Sequence, residues 1–159
     1  MTVAAEIMTK TVVTVTPDTP LRQVADLLAT NRFGGVPVLA PDGTVVGMVT
    51  EEDLVTRAAQ VHLPRHLDFL GGIVYLENPQ SFAAEAEKIL ALTAREIMDN
   101  TVASVSPDTP VETVATRMLA EDLRRLVVLD TERHLLGIIT RADIVRMQTT
   151  PETFPEGHA

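Results

Sequence analysis

Two stretches of this chain, ninety residues apart, share one pattern: a glycine, a short apolar run and then Thr-x-x-Asp. They are Gly47 to Leu54 (GMVTEEDL) and Gly137 to Ile144 (GIITRADI). When residues 4–55 are aligned without a gap on residues 94–145, nineteen of fifty-two positions are identical. Self-similarity at a fixed spacing indicates one supersecondary unit that is used more than once. The chain is therefore predicted to contain two copies of one small fold.

Hydrophobic periodicity predicts a mixture of strands and helices within each copy. The elements predicted for the first copy, in order, are a strand at 11–15, a helix at 20–31, strands at 36–39 and 45–49, and a helix at 51–59. Those of the second copy are a helix capped by Thr109, strands at 126–129 and 135–139, and a helix at 141–148. The predicted fold class is α+β (mixed α/β), with a three-stranded sheet and two helices in each copy.

Capping signals predict where several of these helices begin and end. Thr19 is a suitable N-cap with Pro20 at the first helical position, and the pair Gly34-Gly35 is suited to ending that helix. The stretches Thr93 to Glu96 and Thr109 to Glu112 each have the spacing of a capping box.

The two copies divide the chain into four parts: a first copy at 1–59, an insert at 60–92, a second copy at 93–148 and a tail at 149–159. The insert is apolar, and Asn78-Pro79 predicts the start of a helix within it. Two interpretations of the insert stay open: it covers an end of the core, or Phe69 to Leu76 forms an interface with a subunit or partner. The tail shows no periodicity and is predicted to fray.

Composition excludes several classes of protein. The chain has 159 residues, of which 45% are hydrophobic, so it can bury a core. It has no cysteine and only four scattered histidines, which predicts no disulfide and no metal site. A net charge of -9 opposes nucleic-acid binding. No signal peptide, membrane-spanning run or catalytic motif is recognisable, so we predict a cytoplasmic protein without catalysis or a required cofactor.

The order of motifs in each copy resembles a cystathionine-beta-synthase (CBS) domain. In the first copy the motifs are Glu-Ile-Met, Thr-Val, Pro-Asp-Thr-Pro, Gly-Gly-Val-Pro-Val, Asp-Gly and Gly-Met-Val-Thr-Glu-Glu-Asp-Leu. Two such copies in tandem resemble the CBS pair known as a Bateman module. The resemblance implies two three-stranded sheets packed face to face in pseudo-two-fold symmetry, and further pairing into a homodimer.

The resemblance also implies a non-catalytic regulatory module that binds an adenosine-containing ligand (AMP, ADP, ATP or S-adenosylmethionine) in clefts between the copies. Asp53 and Asp143 match the carboxylate that accepts hydrogen bonds from the ribose hydroxyls, and Thr50 and Thr140 match the hydroxyl beside it. The positions that match the frame of the base are Thr14, Val15 and Val36 in the first copy, and Ser104, Val105 and Leu126 in the second.

Basic residues distinguish the second copy from the first. Arg125 matches a position from which family members contact a phosphate, and Arg124 or Arg141 could contact a second one. We therefore predict that a nucleotide uses Asp143 for ribose and Arg125 for phosphate, with the Asp53 site weaker or completed by basic groups of the opposite copy. The alternative is that these arginines form surface ion pairs of little energetic consequence.

A second function stays open, because Thr-x-x-Asp is also a good helix cap whether or not a ligand is present. In that case the chain is a structural dimerisation scaffold with no nucleotide ligand. The repeats leave little room for an effector domain, so in either case the output passes through an unidentified effector protein or through oligomer geometry.

Overall fold

The computed structural model describes residues 1–60, 66–69, 72–75 and 79–149. The predicted α+β class is confirmed. The helices described are α1 (Ala4–Ile7), α2 (Leu21–Asn31), α3 (Glu51–Gln60), α4 (Pro79–Leu90), α5 (Ala94–Ile97), α6 (Val111–Ala120) and α7 (Arg141–Thr149). The strands described are β1 (Gly35–Leu39), β2 (Val45–Thr50), β3 (His66–Phe69), β4 (Gly72–Tyr75), β5 (Ser104–Val105), β6 (Arg125–Leu129) and β7 (Leu135–Thr140).

The chain folds into two compact units whose limits differ from those of the sequence copies. Unit 1 combines Met1–Val12 with the chain from Val102 onward, and unit 2 is Val13–Thr101. The segment that opens the first copy in sequence thus folds with the second copy, and the segment that opens the second copy folds with the first. Each short leading helix, α1 or α5, therefore belongs to the unit built mainly from the other copy.

The sheet of unit 1 has the order β5-β6-β7, with β6 parallel to β5 and antiparallel to β7. Thr9 extends the sheet beside β7 through two backbone hydrogen bonds with Ile138, of 2.9 and 3.0 Å. The fully or almost fully buried side chains behind this sheet are Ala4, Val114, Met118, Leu126, Val128 and Ile139. The leading segment of the chain, Met1–Val12, is thus joined to unit 1 by backbone hydrogen bonds at Thr9 and by the buried side chain of Ala4.

Unit 2 repeats this arrangement with one difference. Strands β1 and β2 pair antiparallel, and Asp99 exchanges two backbone hydrogen bonds with Met48 on the outer side of β2. The strand predicted at 11–15 is reduced to one parallel bridge between Val15 and Val38, so the predicted third strand is complete only in unit 1. The buried core of unit 2 is Val15, Leu21, Val24, Leu28, Val36, Val38, Val49 and Ala94.

Two equivalent glycines allow the leading segments to lie against the sheets. A Cβ at Gly47 would be 2.6 Å from Sδ of Met98, and a Cβ at Gly137 would be 2.6 Å from Sδ of Met8. Neither glycine has a positive φ, so they are required here by close approach and not by turn geometry. The methionine of the Glu-Ile-Met motif in one copy therefore packs against the glycine before Thr-x-x-Asp in the other copy.

Helix α4 begins at Pro79, as the sequence predicts. Ile89 and Leu92 pack on the core of unit 2, and Arg22 on α2 forms an ion pair of 2.8 Å with Glu87. This packing agrees with the interpretation that the insert covers the core. The hairpin of β3 and β4 was not predicted. The interface interpretation depends on the side chains of residues 69–76, and the structure describes neither these side chains nor the tail from residue 150.

Some predicted helix boundaries are confirmed and others are wrong. Glu96 Oε1 accepts from the Thr93 backbone N–H at 3.3 Å and from its hydroxyl at 3.2 Å, which confirms that capping box. The box predicted at 109–112 is absent: Pro110 has a ψ of 140°, so α6 begins at Val111, and the Thr109 hydroxyl contacts Ser106 Oγ at 3.0 Å.

The same correction applies to α2. Pro20 also has a ψ of 140°, and Thr19 Oγ1 accepts a hydrogen bond from the Thr16 N–H at 3.0 Å instead of capping the helix. The helix ends at Asn31, and its C-cap Arg32 adopts the left-handed conformation with a φ of 54°, before the glycine pair is reached. Both prolines therefore serve as extended entries to their helices.

Candidate ligand-binding site

The Thr-x-x-Asp motif of unit 1 joins the end of β7 to the first turn of α7. Asp143 Oδ2 accepts hydrogen bonds from the Thr140 N–H at 2.7 Å and from its hydroxyl at 2.8 Å. The other oxygen, Oδ1, accepts from the guanidinium of Arg146. The side chain of Asp143 is 5% exposed, whereas that of Arg146 is 69% exposed. The carboxylate is therefore buried, with both oxygens engaged.

The equivalent motif in unit 2 has the same cap and a different surrounding. Asp53 Oδ2 accepts from the Thr50 N–H at 2.8 Å and from its hydroxyl at 3.0 Å, while Thr50 Oγ1 accepts from the Asp53 N–H at 3.2 Å. Asp53 is partly exposed. Within the part of the chain that the structure describes, its Oδ1 accepts no hydrogen bond. One carboxylate oxygen thus caps α3 and the other is available to a ligand.

These contacts show that the cap of each helix uses only one oxygen, Oδ2, of the carboxylate. An ionised carboxylate has about four lone-pair sites, and the cap occupies sites on Oδ2 only. The helix-cap interpretation is therefore correct for both motifs, but it does not compete with a role for Oδ1. The chemistry left at Oδ1 is that of an acceptor for hydroxyl or ammonium groups.

Several residues predicted to frame the base lie in the hydrophobic core. Val36 and Leu126 are 0% exposed and Val15 is 6% exposed, so their side chains face other core residues. Thr14 and Ser104, which precede Val15 and Val105, are partly exposed. They, with the partly exposed Val105, are the members of this set that a ligand can reach without opening the core.

Arg125 lies directly across the ladder from Thr140. Opposed residues of an antiparallel pair project from the same face of the sheet, so the side chains of Arg125 and Thr140 start on one side. The position equivalent to Arg125 in unit 2 is Gly35, which is paired with Thr50 and has no side chain. A cation therefore adjoins the Thr-Asp pair of unit 1 at a position that is uncharged in unit 2.

The other two arginines differ from each other in placement. Arg124 is exposed. Arg141 donates from Nε to the Leu123 carbonyl at 2.8 Å and from Nη2 to Asp122 Oδ1 at 2.9 Å. Asp122 has a φ of 50°, so Arg141 stabilises the left-handed turn that follows α6. This contact is of the ion-pair kind foreseen as the alternative to phosphate binding.

Two contacts at this site were not anticipated from the sequence. Arg117 on α6 donates to the backbone carbonyl of Ser104, and Arg146 covers Asp143. The i,i+3 spacing of Asp143 and Arg146 on one helix face is a signal that could have revealed the second contact. The first depends on the packing of α6 beside β5, which spacing does not reveal.

A separate cavity of about 410 Å³ lies at the far end of β5 and β6. It includes Ser104 and Val105 but neither Thr140 nor Asp143. Asp130 at its edge accepts a backbone hydrogen bond from His134, which lowers the pKa of the Asp130 carboxyl from its ordinary value. Within the described ranges, no three His, Cys, Asp or Glu residues converge as a metal site requires. Nor is any helix in those ranges long and apolar enough to cross a membrane.

Comparison with known proteins places these motifs in context. The sequence model of the CBS domain matches residues 3–59 and 94–149. An uncharacterised protein of Methanocaldococcus jannaschii is 30% identical over 147 residues, which cover 88% of this chain and 87% of that protein. The solved structure of CBSX2 in complex with AMP has a TM-score of 0.72 and 23% identity, covering 93% of this chain and 96% of that one. A CBS domain pair in complex with 5'-methylthioadenosine and S-adenosyl-L-methionine has a TM-score of 0.69 and 23% identity, covering 92% and 99%.

Proposed function

This chain belongs to the CBS domain family as a tandem pair, and from that premise we propose that it is a non-catalytic regulatory module for an adenosine-containing ligand. The observation that carries the proposal is the Thr-Asp pair found at the same strand-to-helix junction of both units. In each pair the cap uses Oδ2, so that Oδ1 is the oxygen that can accept from ribose hydroxyls, directly at Asp53 and in place of Arg146 at Asp143. The AMP, methylthioadenosine and S-adenosylmethionine bound by structural relatives support this class of ligand.

In unit 1 the proposed ligand carries a phosphate. Arg125 starts on the same face of the sheet as Thr140, so its guanidinium adjoins the Thr-Asp pair, and the exposed Arg124, which precedes it on the chain, is the second candidate for a phosphate contact. A guanidinium stays charged and offers paired donors to phosphate oxygens. Arg141 is left out of the proposed phosphate set because it is bonded to Asp122 and Leu123.

Removal of Arg125 is expected to separate nucleotide from nucleoside binding. Arg125→Ala should weaken AMP binding by about tenfold or more, since a charge-assisted contact with phosphate is lost, and should leave adenosine binding nearly unchanged. Calorimetric titration of the parent and variant proteins with adenosine, AMP, ADP and ATP measures both effects. Arg133→Ala, on the exposed β6–β7 turn, removes the same charge as a control. Equal weakening of AMP and adenosine by Arg125→Ala would contradict the phosphate assignment.

We also propose that the chain forms a homodimer through exposed apolar helix positions. Leu119 on α6 is 77% exposed and Val145 on α7 is 57% exposed, and Val55 on α3, which is equivalent to Val145, is 67% exposed. Leu28 on α2, by contrast, is 4% exposed and belongs to the core of unit 2. A substitution at Leu28 would therefore test folding and not association.

Leu119→Asp is expected to weaken self-association by at least about tenfold, because a carboxylate without a partner would be buried in the interface. Sedimentation equilibrium over a range of protein concentrations gives the dissociation constant. Thr131→Asp, on the exposed β6–β7 turn, adds the same charge outside the helices. A parent protein that stays monomeric at high concentration would refute the dimer, and an unchanged dimer in Leu119→Asp would exclude α6 from it.

A dimerisation scaffold without a nucleotide is the second candidate function, favoured by these same exposed side chains. In this case all the adenosine ligands leave the melting temperature unchanged, whereas a ligand bound only by the folded state raises it. Whichever function holds, the proposed output acts through an unidentified effector protein or through oligomer geometry.

A further inference from the structure

The two Thr-Asp pairs differ in what covers the oxygen that a ribose would need. In unit 1 the guanidinium of Arg146 donates to Asp143 Oδ1, and the side chain of Asp143 is buried. In unit 2 the residue at the position of Arg146 is Thr56, whose side chain is too short to make the same contact. Asp53 Oδ1 accordingly receives none of the hydrogen bonds described for unit 2, and Asp53 is partly exposed.

Arg146 is placed to compete with a ribose for Asp143. Its side chain is 69% exposed while the carboxylate is 5% exposed, so the guanidinium lies on the solvent side of the group it contacts. The guanidinium brings a positive charge to the carboxylate in addition to its hydrogen bond, whereas a ribose hydroxyl that replaced it would bring a hydrogen bond alone. A nucleoside must therefore displace the guanidinium, or share an oxygen with it, before its hydroxyls reach Asp143.

Resting on the proposed adenosine-binding function, we infer that Arg146 determines ligand selectivity between the two pairs. Asp53 is open to the ribose of an adenosine without a phosphate. Asp143 is closed to it by Arg146 and accepts a nucleotide only when a phosphate supplies further contacts, which Arg125 is placed to make. For adenosine, this reverses the order of affinities that the distribution of arginines alone predicts, in which the Asp143 site binds more tightly than the Asp53 site.

The charges around each pair agree with this division. Unit 2 presents Glu51 and Glu52 beside Asp53, and Gly35 opposite Thr50, so a phosphate finds no basic side chain at these positions. Carboxylates there disfavour an anionic ligand and tolerate an uncharged or cationic one. The ligand class inferred for unit 2 is thus a neutral or positively charged adenosine derivative, and that for unit 1 is an adenosine phosphate.

Exchange of the two helix residues tests the inference. Adenosine is titrated calorimetrically into the parent, Arg146→Thr and Thr56→Arg proteins, each also carrying Asp53→Ala or Asp143→Ala. The parent is expected to bind one adenosine per chain, and Asp53→Ala to abolish that binding. Arg146→Thr should bind a second adenosine that Asp143→Ala removes. Thr56→Arg should weaken the first site about tenfold, because the new guanidinium can reach Asp53 with the i,i+3 spacing of unit 1.

The outcomes distinguish the inference from the function on which it rests. Parent binding that depends on Asp143 and not on Asp53, or an unchanged stoichiometry in Arg146→Thr, would overturn the inference and leave adenosine binding in place. Failure of adenosine, AMP and S-adenosylmethionine to bind any of the folded proteins would overturn both. Circular dichroism verifies folding, and if Arg146→Thr does not fold, Thr56→Arg at an exposed position of α3 decides alone: an unchanged adenosine affinity there would refute the inference.

Discussion

Gly137→Ala is expected to lower the free energy of unfolding by about 3 kcal/mol, at the upper end of the range for overpacked interiors. The added Cβ would lie 2.6 Å from Sδ of Met8, 2.7 Å from its Cγ and 2.9 Å from the Thr9 carbonyl oxygen. A methionine side chain can move, but Thr9 is bonded to Ile138 on the strand that carries the glycine. The substitution therefore pushes the leading segment away from β7. Urea unfolding of the parent and variant measures the change.

Gly47→Ala provides a matched comparison in unit 2. Its nearest backbone atom, the Asp99 carbonyl oxygen, is 3.1 Å from the added Cβ, so the expected loss is smaller, about 2 kcal/mol. Met98→Ala should restore part of this loss because it removes the two closest atoms. Met8→Ala should rescue Gly137→Ala less completely, since the backbone contact remains. Loss of less than about 0.5 kcal/mol in both alanine variants would show that the glycines are not required by this contact.

The repeated motif was sufficient to predict the fold class and most elements. Hydrophobic periodicity located α3, α6, α7 and the β6–β7 hairpin to within a residue or two, because these elements each bury one face against their own sheet. The capping box at Thr93 was likewise readable, since it involves only residues three apart. What is local in sequence was therefore predictable.

The exchange of leading segments was not predictable in the same way. Nothing near Met8 in the sequence indicates that it packs on Gly137 and not on Gly47, because both glycines occur in the same motif. Which glycine Met8 packs against is decided by contacts between residues more than a hundred positions apart in the sequence. The N-caps predicted at Thr19 and Thr109 failed for a different reason: the proline that follows each threonine adopts the extended ψ of 140°, so each helix starts one residue later.

For the candidate site, sequence reasoning reached the residues but not their surroundings. The Thr-x-x-Asp motif predicted which carboxylates lie at the helix starts, and the cap at Thr50 is as expected. It did not predict that Asp143 is buried while Asp53 is partly exposed, because burial depends on tertiary packing that the motif does not specify. Nor did it predict that Val36 and Leu126 are core residues with no exposed surface, because an apolar residue on a central strand suits either role.

The difference in burial leads to a second large effect: Asp143→Ala is expected to lower the free energy of unfolding by about 3 kcal/mol, and Asp53→Ala by about 1 kcal/mol. Both substitutions remove the two hydrogen bonds that the preceding threonine donates. At Asp53, which is partly exposed, water can take the place of the carboxylate. At Asp143, whose side chain is 5% exposed, the Thr140 N–H is left without a partner and the cost of desolvation is added.

Urea unfolding in the absence of ligand checks this order, with Asp108→Ala, at an exposed position of unit 1, as the control for loss of a carboxylate. Asp143→Asn should cost less than Asp143→Ala because its carbonyl oxygen can still accept from Thr140, whereas its amide cannot accept from Arg146. A loss at Asp143 no larger than that at Asp53 would contradict the greater energetic role assigned to the buried cap. Asp143→Asn keeps the cap but removes the acceptor for Arg146, so adenosine titration of this variant separates capping from ligand binding. If Asp143 acts only as a cap, the titration will show unchanged binding by unit 2 and no new site in unit 1.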